Sequence, residues 1–434
     1  MLHPNRVLIL VSVLIILYFV HKTTFYVLPK EKVIPQNPMT VVTEPRIVKG
    51  SQLIVVQPKN TSKKIQILAP QFPFFEYGDK VIISGKFVSI FEPGFKINDI
   101  SYFLANNIIY SCYYPKINFF SKSDYKEPLV TSFRKNLIKT RKSLEIKIAQ
   151  SLPEPQAGLL SGILLGTRSE ISKDTKEILT KAGLIHIIAL SGYNISIVAV
   201  TIRSLLRKIS AKIAFWGSLA SVWIFVASTG FPASVVRAAI MGSILLLSKK
   251  IGRRGDGLAA ILLASITMVL INPNILLYDI GFQLSFAAVC GIIFLAPRIR
   301  IYFDVFGRTF GEILAATISA QIFTFGLISF YFGRVSFVSL ISNLLVVPII
   351  PFLMLIGFLG SLISFFSIWL SALLFKLSWF LLAFVLNISK YFSELSYSEI
   401  GFRVSLYELL LIYFLLFILA LFLRKKDLYE KRNL

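Results

Sequence analysis

The chain has 434 residues, of which 55% are hydrophobic, and its mean hydropathy is +0.73. Its formal net charge of +24 is unusual for so apolar a chain. The hydropathy excludes an ordinary soluble enzyme and indicates a polytopic membrane protein, whose cytoplasmic loops account for part of the positive charge. The rest lies in one polar block at 30–154, which suits anionic lipid headgroups, nucleic acid or a plain solvated surface.

The N-terminal part is predicted to be a membrane anchor followed by a small β domain. The apolar run within 1–29 is long enough to span a bilayer, and without a small-x-small cleavage site it is expected to stay uncleaved. Short alternating runs separated by turn residues fill 38–120 and predict an extracytoplasmic all-β domain, with an OB-like barrel as the best single guess. Within it, Gly85 is expected to bulge or kink the strand at 80–90.

The rest of the chain is predicted to be a bundle of membrane helices. A basic amphipathic linker helix at 121–156 leads into it. Roughly nine apolar runs in 157–424, with the anchor, predict about ten transmembrane helices. One of these, at 337–366, is expected to be a broken helix, because two prolines interrupt it. Lys and Arg cluster in alternate loops and in the tail at 425–434, which places both termini in the cytoplasm of a multi-pass cell-membrane protein and the β domain outside.

Metal, disulfide and nucleotide chemistry are not expected. Cys112 lies in the polar block and Cys290 in an apolar run, so the two cysteines are predicted to occupy different compartments. The histidines have no metal-ligand spacing, so neither a metal nor another cofactor is predicted. A Walker lysine motif is also missing from the sequence, which indicates that the chain does not hydrolyse ATP to drive transport.

One apolar run carries polar residues in its middle, namely His186, Ser191, Gly192, Tyr193 and Asn194. Lipid offers no hydrogen-bond partner, so such residues are expected to face a bundle interior or a wet path, and the glycine favours a broken helix. Three interpretations remain: the lining of a polar conduit, interhelical hydrogen bonds, and an intramembrane hydrolase that uses Ser191 and His186. The last is disfavoured because no acidic residue that would orient His186 is evident.

Further polar side chains are predicted at membrane depth, and cations exceed anions among them. The candidate anions, Asp279 and Glu312, lie near predicted helix ends. This excess favours an anionic cargo, either nucleic acid or another polyanionic or lipid-linked molecule, over a transferase or hydrolase reaction. The additional candidates are Arg237, Gln283, Ser285, Gln321, Asn343 and Lys376.

The run GLLSGILLGTRSEISKDTKEILTKAGLIHIIALSGYNISIVAV closely resembles the signature of the ComEC-type competence channels. The resemblance continues through FPASVVRAAIMG, GFQLSFAAVCGII and the stretch at 319–348, while YGDKVIISGKF and INDISYFLANNII are similar to the external OB-type domain of that family. It implies an inner-membrane channel that conducts single-stranded DNA into the cytoplasm during natural transformation. A channel of this kind is not an enzyme.

The same resemblance implies partners besides single-stranded DNA and membrane lipids. A cytoplasmic helicase motor and an external DNA receptor are expected. Many members carry a metallo-β-lactamase-like domain, and this sequence has no His-x-His-x-Asp-His run, so a separate nuclease is expected if one strand is degraded. The family usually has Leu-His where this chain has Tyr193 and Asn194, although an amide still bonds a phosphate or a base.

In the external domain, basic residues are the candidates for holding the strand by its phosphates, and aromatic residues for stacking on its bases. For each aromatic residue, the barrel core is the alternative location. The basic candidates are Lys63, Lys64, Lys80, Lys86 and Lys96, and the aromatic candidates are Phe72, Phe74, Tyr77 and Phe95.

Overall fold

The computed structural model describes residues 38–48, 50–59, 61–92, 97–120, 129–167, 171–188, 192–252 and 257–430. The predicted anchor at 1–29 therefore lies outside the described residues. The chain divides into two compact units. The first takes the described residues up to Thr140 with Val226–Pro232 and Leu262–Phe282, and the second takes Arg141–Phe225, Ala233–Ile261 and Gln283–Leu434.

Eight strands of the first unit form one sheet. They are β1 (Met39–Val41), β2 (Arg46–Val48), β3 (Ser51–Pro58), β4 (Lys64–Pro70), β5 (Lys80–Ser84), β6 (Phe87–Ser89), β7 (Ile108–Tyr113) and β8 (Lys116–Phe119). Their hydrogen-bonded order is β6-β7-β4-β3-β1-β5-β8, with β2 paired to β3 and with β4 and β7 parallel. Because β5 and β6 are two residues apart in the chain but lie towards opposite ends of this order, the sheet curls back on itself.

Gly85 interrupts the strand predicted at 80–90, so the expected kink is confirmed. A Cβ at Gly85 would lie 2.8 Å from the Cβ of Pro115 and 3.1 Å from the Sγ of Cys112, so the close approach of another strand requires glycine there.

The expectation of an all-β domain is wrong in one respect, because helix α1 (Ile97–Ala105) lies between β6 and β7. Ile100, Phe103 and Leu104 recur at helical spacing in this segment, and Phe103 is buried. The apolar core of the sheet comes from alternate residues of the strands, as period-two patterning requires. It includes Met39, Val41, Ile54, Val56, Ile65, Ile67, Val81 and Ile83, and Phe75 from the loop between β4 and β5 packs with them.

The regular elements in the other described residues are helices, apart from a short pair of strands, β9 (Arg334–Ser336) and β10 (Glu399–Gly401). The helices are α2 (Leu129–Ser151), α3 (Gln156–Leu165), α4 (Lys173–Lys181), α5 (Ile185–Ile188), α6 (Gly192–Arg207), α7 (Ala211–Ser228), α8 (Ala233–Lys250), α9 (Gly257–Ile271), α10 (Ile275–Tyr278), α11 (Ile280–Phe294), α12 (Ala296–Ile299), α13 (Arg308–Phe332), α14 (Ser339–Val346), α15 (Ile350–Ile363), α16 (Ile368–Ser393) and α17 (Leu406–Glu430). A 3-10 turn at Val347–Ile349 separates α14 from α15 and contains Pro348, which confirms the predicted break in the helix.

Among the described residues, four segments are long and apolar enough to cross a membrane: Ala211–Ser228, Phe310–Phe332, Ser339–Ile363 and Ile368–Ser393. A fifth results if Ile280–Phe294 and Ala296–Phe306, which bend by 44° at their junction, form one span. Shorter apolar helices occupy Gln156–Leu165, Ala233–Ser248, Gly257–Ile271 and Leu406–Ala420. These helices are consistent with a membrane protein, whereas the predicted number of about ten spans is not confirmed among the described residues.

Candidate conduit lining and external binding surface

The turn after α4 lies tightly against the start of α14. Gly183 in this turn has a φ of +73°, and a Cβ there would lie 2.1 Å from the Cβ of Ser339 and 3.1 Å from the Oγ of Ser336. Left-handed backbone and close approach therefore both require glycine at this position.

Serines around the start of α14 satisfy carbonyl groups at the end of α4. The Ser336 hydroxyl donates to the Lys181 carbonyl at 2.7 Å, and the Ser342 hydroxyl donates to the Ala182 carbonyl at 2.6 Å. The last carbonyls of a helix have no partner within it, so these serines supply the missing hydrogen bonds. These hydrogen bonds thereby join the stretches at 158–200 and 319–348, which both resemble the competence channels in sequence.

His186 lies on the short helix α5, with its Nδ1 3.1 Å from the Gly183 carbonyl oxygen. This geometry assigns the proton to Nδ1. In the part of the chain that the structure describes, no carboxylate lies within ion-pair distance of His186. Ser191, its predicted partner in the hydrolase interpretation, lies outside the described residues.

Asn194 connects α6 to α3. Its side chain is only 2% exposed, and its Nδ2 donates to the Ile163 carbonyl at 3.0 Å. Gly192 at the start of α6 faces α8, where an added Cβ would be in ordinary contact, 3.4 Å from the Cβ of Ala238. The neighbouring Tyr193 has a described backbone, while its side chain lies outside what the structure describes.

Arg237 places a cation inside the second unit, where it is only 3% exposed. Its Nη2 is 3.4 Å from the Ser234 carbonyl of its own helix, and its Cζ is 5.5 Å from the centre of the Phe286 ring on α11. A guanidinium at this distance from an aromatic ring is attracted to it, so the contact joins α8 to α11.

Amide side chains make the next two connections. The Tyr331 hydroxyl of α13 donates to Gln283 Oε1 of α11 at 2.8 Å, and Gln321 Nε2 of α13 donates to the Ser339 hydroxyl at 2.5 Å. Asn343 on α14 is buried, and its Oδ1 accepts no hydrogen bond from the described residues. Ser285 is half-buried on α11.

These contacts join the helices in a closed circuit. It runs from α3 through α6, α8, α11, α13 and α14, and returns through the turn at 182–184 and α5. The contact between α5 and α3, which closes the circuit, is also tight, because a Cβ at Gly162 on α3 would lie 2.8 Å from the Cγ2 of Ile188 on α5. The structure thus brings His186, Gly192, Asn194, Arg237, Gln283, Gln321 and Asn343 onto the helices of one circuit.

Lys376 lies elsewhere in the second unit. It lines a cavity of about 500 Å³ with residues of 147–153 and Trp379. None of the other conduit candidates is among the residues that line this cavity.

The basic candidates of the external domain are not equivalent. Lys63 and Lys86 are exposed, whereas Lys64 and Lys80 are half-buried. Burial, followed by the nearby charge of Arg134, lowers the pKa of the Lys64 ammonium. Lys96 lies outside the described residues.

The structure distinguishes among the aromatic candidates. Phe72 and Phe74 are 65% and 54% exposed, with their ring centres 4.7 Å apart in an edge-to-face arrangement. Tyr77 instead lies against Arg134, whose Cζ is 4.3 Å from the ring centre and whose Nη1 donates to the hydroxyl at 3.0 Å. Phe95 lies outside the described residues. Phe72 and Phe74 are therefore the aromatic candidates with rings available for stacking.

Gln52, which the sequence interpretation missed, holds the loop that presents these two rings. It is 1% exposed, and its Nε2 lies 3.1, 2.7 and 2.8 Å from the carbonyl oxygens of Pro70, Gln71 and Pro73. Its Oε1 accepts from the Phe75 amide at 3.2 Å. A single buried side chain thus bonds several backbone groups at the end of β4 and in the loop that follows it.

Comparison with known proteins agrees with the resemblance seen in the sequence. The family described as "Competence protein" matches residues 163–427. "ComE operon protein 3" of Bacillus subtilis (strain 168) is 29% identical over 233 residues, which make up 52% of this chain and 28% of that protein. The match thus spans less than a third of that relative's length, and no solved structure matches the chain. Because the family match covers more than half of its residues, the chain belongs to the competence protein family.

Proposed function

We propose that this protein is a membrane conduit that carries single-stranded DNA into the cytoplasm during DNA uptake. The closed circuit of helices is the observation that carries the proposal. A DNA strand has one charge per phosphate and cannot cross hydrocarbon, so it needs a wall that supplies polar groups. Helices joined in a ring, in which amide, hydroxyl and guanidinium groups make most of the links, can surround such a path.

The polar groups of the circuit suit a strand that must keep moving. Neutral amides and hydroxyls bind phosphates and bases weakly enough to release them, as conduction requires. Asn343 Oδ1, with no donor among the described residues, can accept a hydrogen bond from water or a base amine. Arg237 is buried, so in this proposal it attracts phosphates through its field, which a low-dielectric surrounding strengthens.

The hydrolase alternative receives no support from the geometry. His186 directs Nδ1 at a backbone carbonyl, and the described residues place no carboxylate beside it. A transporter of another polyanionic or lipid-linked molecule would share the basic lining. Deletion of the gene distinguishes that alternative, because it would leave DNA entry unchanged.

The external domain is proposed to be an OB-like barrel that delivers the strand. The order of its strands returns on itself at Gly85, as closure of a barrel requires. Phe72 and Phe74 would stack on bases while exposed lysines such as Lys63 and Lys86 hold phosphates. We expect Phe72→Ala to weaken oligonucleotide binding by roughly tenfold with little change in salt dependence, whereas Lys86→Gln should reduce the salt slope by about one. Binding that is independent of salt would contradict the phosphate contacts.

We propose that both termini lie in the cytoplasm and the sheet outside, on the strength of the loop charges. One contact constrains this orientation: Lys147 Nζ on α2 lies 5.7 Å from the ring centre of Phe365, in the turn after α15. Lys147 and Phe365 must therefore lie at the same depth relative to the membrane. The loop charges, in contrast, place α2 on the outer side and the turn after α15 on the cytoplasmic side.

Cysteines introduced into these two segments show on which side of the membrane each segment lies. In a chain with Cys112 and Cys290 replaced by serine, Lys147→Cys and Phe366→Cys should react with a membrane-impermeant reagent from the same side. Reaction of both from the cytoplasm means that α2 crosses the bilayer. Reaction of both from outside means that α14 and α15 do not cross it. Reaction from opposite sides would contradict the observed contact.

The conduit is tested at Arg237. We expect Arg237→Glu to lower the entry of labelled DNA, scored as DNase-resistant strand, by more than about tenfold, because a buried negative charge repels phosphates. Arg237→Gln should lower it less. Arg207→Glu, at the exposed end of α6, is the matched control. Surface binding of DNA and the amount of membrane-inserted protein should stay unchanged in all variants.

Two results would contradict the proposal. Normal entry in the Arg237→Glu strain at normal protein level would remove Arg237 from the path. Normal entry after clean deletion, in cells shown to be competent, would reject the DNA conduit and leave a transporter of another polyanion.

A further inference from the structure

The cavity that contains Lys376 lies between the end of α2 and the first half of α16. Its volume is about 500 Å³, and it is lined by Lys147, Gln150 and Ser151 from one side and by Lys376 and Trp379 from the other. Within the described ranges, neither lysine has a carboxylate at ion-pair distance. Two ammonium groups thus border one cavity with no acidic side chain to neutralise them.

The hydroxyl groups that line the same cavity are already engaged. Ser371 donates to the Gly360 carbonyl at 3.1 Å, and Ser364 donates to the Ser361 carbonyl at 2.7 Å. Besides the neutral side chains of Gln150 and Trp379, the two lysines are the groups left to bind a ligand, and their charge selects an anion.

The position of the cavity along the helices indicates which anion. Ser339–Ile363 and Ile368–Ser393 are both long and apolar enough to span a membrane, so the turn that joins them lies at a membrane surface. Phe366 and Trp369 around this turn are 90% and 80% exposed. Exposed aromatic residues at the end of a membrane helix typically lie at the level of the lipid headgroups.

Lys376 lies eight residues into α16, about 12 Å below the start of the helix. A lysine at that depth must extend its side chain towards the polar boundary. The cavity provides this route, and Lys147 lies across it. A lipid phosphate entering from the surface therefore meets both ammonium groups.

We propose that this cavity binds the phosphodiester headgroup of an anionic membrane lipid, held by Lys147 and Lys376, with the acyl chains against Phe366 and Trp369. The bound lipid would contact both the end of α2 and the turn between α15 and α16, and so stabilise their packing. DNA presents the same phosphate chemistry, but the exposed apolar surface around the cavity favours an acyl chain.

The full-length protein, purified in a mild neutral detergent, tests this proposal. Binding of phosphatidylglycerol and phosphatidylcholine is measured by native mass spectrometry. We expect phosphatidylglycerol to bind preferentially. Lys147→Gln or Lys376→Gln should each weaken that binding by about fivefold, and the double variant by about 30-fold. Lys390→Gln, on the same helix but outside the cavity, is the matched control and should bind like the parent.

Four results would overturn the assignment. Equal binding of the two lipids, or unchanged binding in the double variant, would show that the lysines select no headgroup. If inorganic phosphate displaces the lipid and raises the unfolding temperature of the protein as much as phosphatidylglycerol does, the cavity is a site for a free anion. An oligonucleotide that displaces phosphatidylglycerol only when both lysines are present would place the cavity on the DNA path. Lys147→Arg keeps the positive charge and should bind phosphatidylglycerol like the parent. Comparison with Lys147→Gln then distinguishes loss of the site from loss of the fold.

Discussion

The two units differ in what their buried polar side chains hold together. In the sheet, backbone groups pair within the strand ladder, the core is apolar, and Gln52 organises one loop of its own domain. In the helical unit, Asn194, Gln283 and Gln321 each take part in a hydrogen bond to a different helix. The buried Gln52 thus organises one loop of the sheet, whereas the polar side chains of the helical unit form hydrogen bonds between neighbouring helices. A substitution should accordingly have a local effect in the first unit and a distributed one in the second.

Gly183 should show the largest effect, because it lies where two elements of the circuit approach most closely. We expect Gly183→Ala to destabilise the protein by about 3 kcal/mol, through left-handed backbone and overlap with Ser339. The measurement is thermal unfolding in detergent together with the amount of protein in the membrane. Gly252→Ala is the matched control, because Gly252 has a φ of +75° and nothing within 4 Å of its added Cβ. Equal losses in the two variants would show that the close approach contributes nothing.

Gln52→Leu should have an intermediate and local effect. Loss of its hydrogen bonds should destabilise the sheet by about 2 kcal/mol and release the backbone at 70–75. Hydrogen exchange would then accelerate in that loop, and oligonucleotide binding would weaken, while exchange in α6, α8 and α13 stays as in the parent. Gln57→Leu, which removes a bond to the Thr61 carbonyl, is the control. Accelerated exchange throughout the helices would contradict the contrast between the two units.

Lys64 should show the smallest effect, visible as a dependence of stability on pH. Because burial and then Arg134 lower the pKa of Lys64 in the folded protein, the folded state binds fewer protons than the unfolded state between that lowered pKa and the usual value near about 10. Stability should therefore rise with pH across this window. Lys64→Met should flatten the rise in unfolding temperature, and Lys63→Met, at an exposed position, should not. An unchanged slope in Lys64→Met would argue against burial of the charged group.

Local patterns were sufficient to predict much of the fold. Alternation of apolar residues locates β4 and β5, the glycine at position 85 marks the kink, and Pro348 marks the broken helix. Helix α1 departs from the predicted all-β domain because it is a short segment between two strands, although Ile100, Phe103 and Leu104 follow helical spacing.

The candidate site was only partly predictable. Gln52 was detectable in principle, because it alternates with Ile54 and Val56 on the buried face of β3. Most of the circuit was not, because it depends on which distant segments meet. Ser342 bonds to a carbonyl 160 residues away, and no local pattern specifies such a partner.

The closed circuit also has a consequence for biosynthesis. Arg237 on α8 emerges from the ribosome before Phe286 on α11, and Gln283 on α11 emerges before Tyr331 on α13. Until those helices arrive, an arginine and an amide would face lipid or the insertion machinery, at a cost that translocon measurements put at about 2.5 kcal/mol or more for arginine at mid-membrane. The early helices must therefore be held by a protein partner or remain in a polar compartment during synthesis. A nascent chain stalled just before α11 should thus crosslink to an insertase, and one stalled after α15 should not.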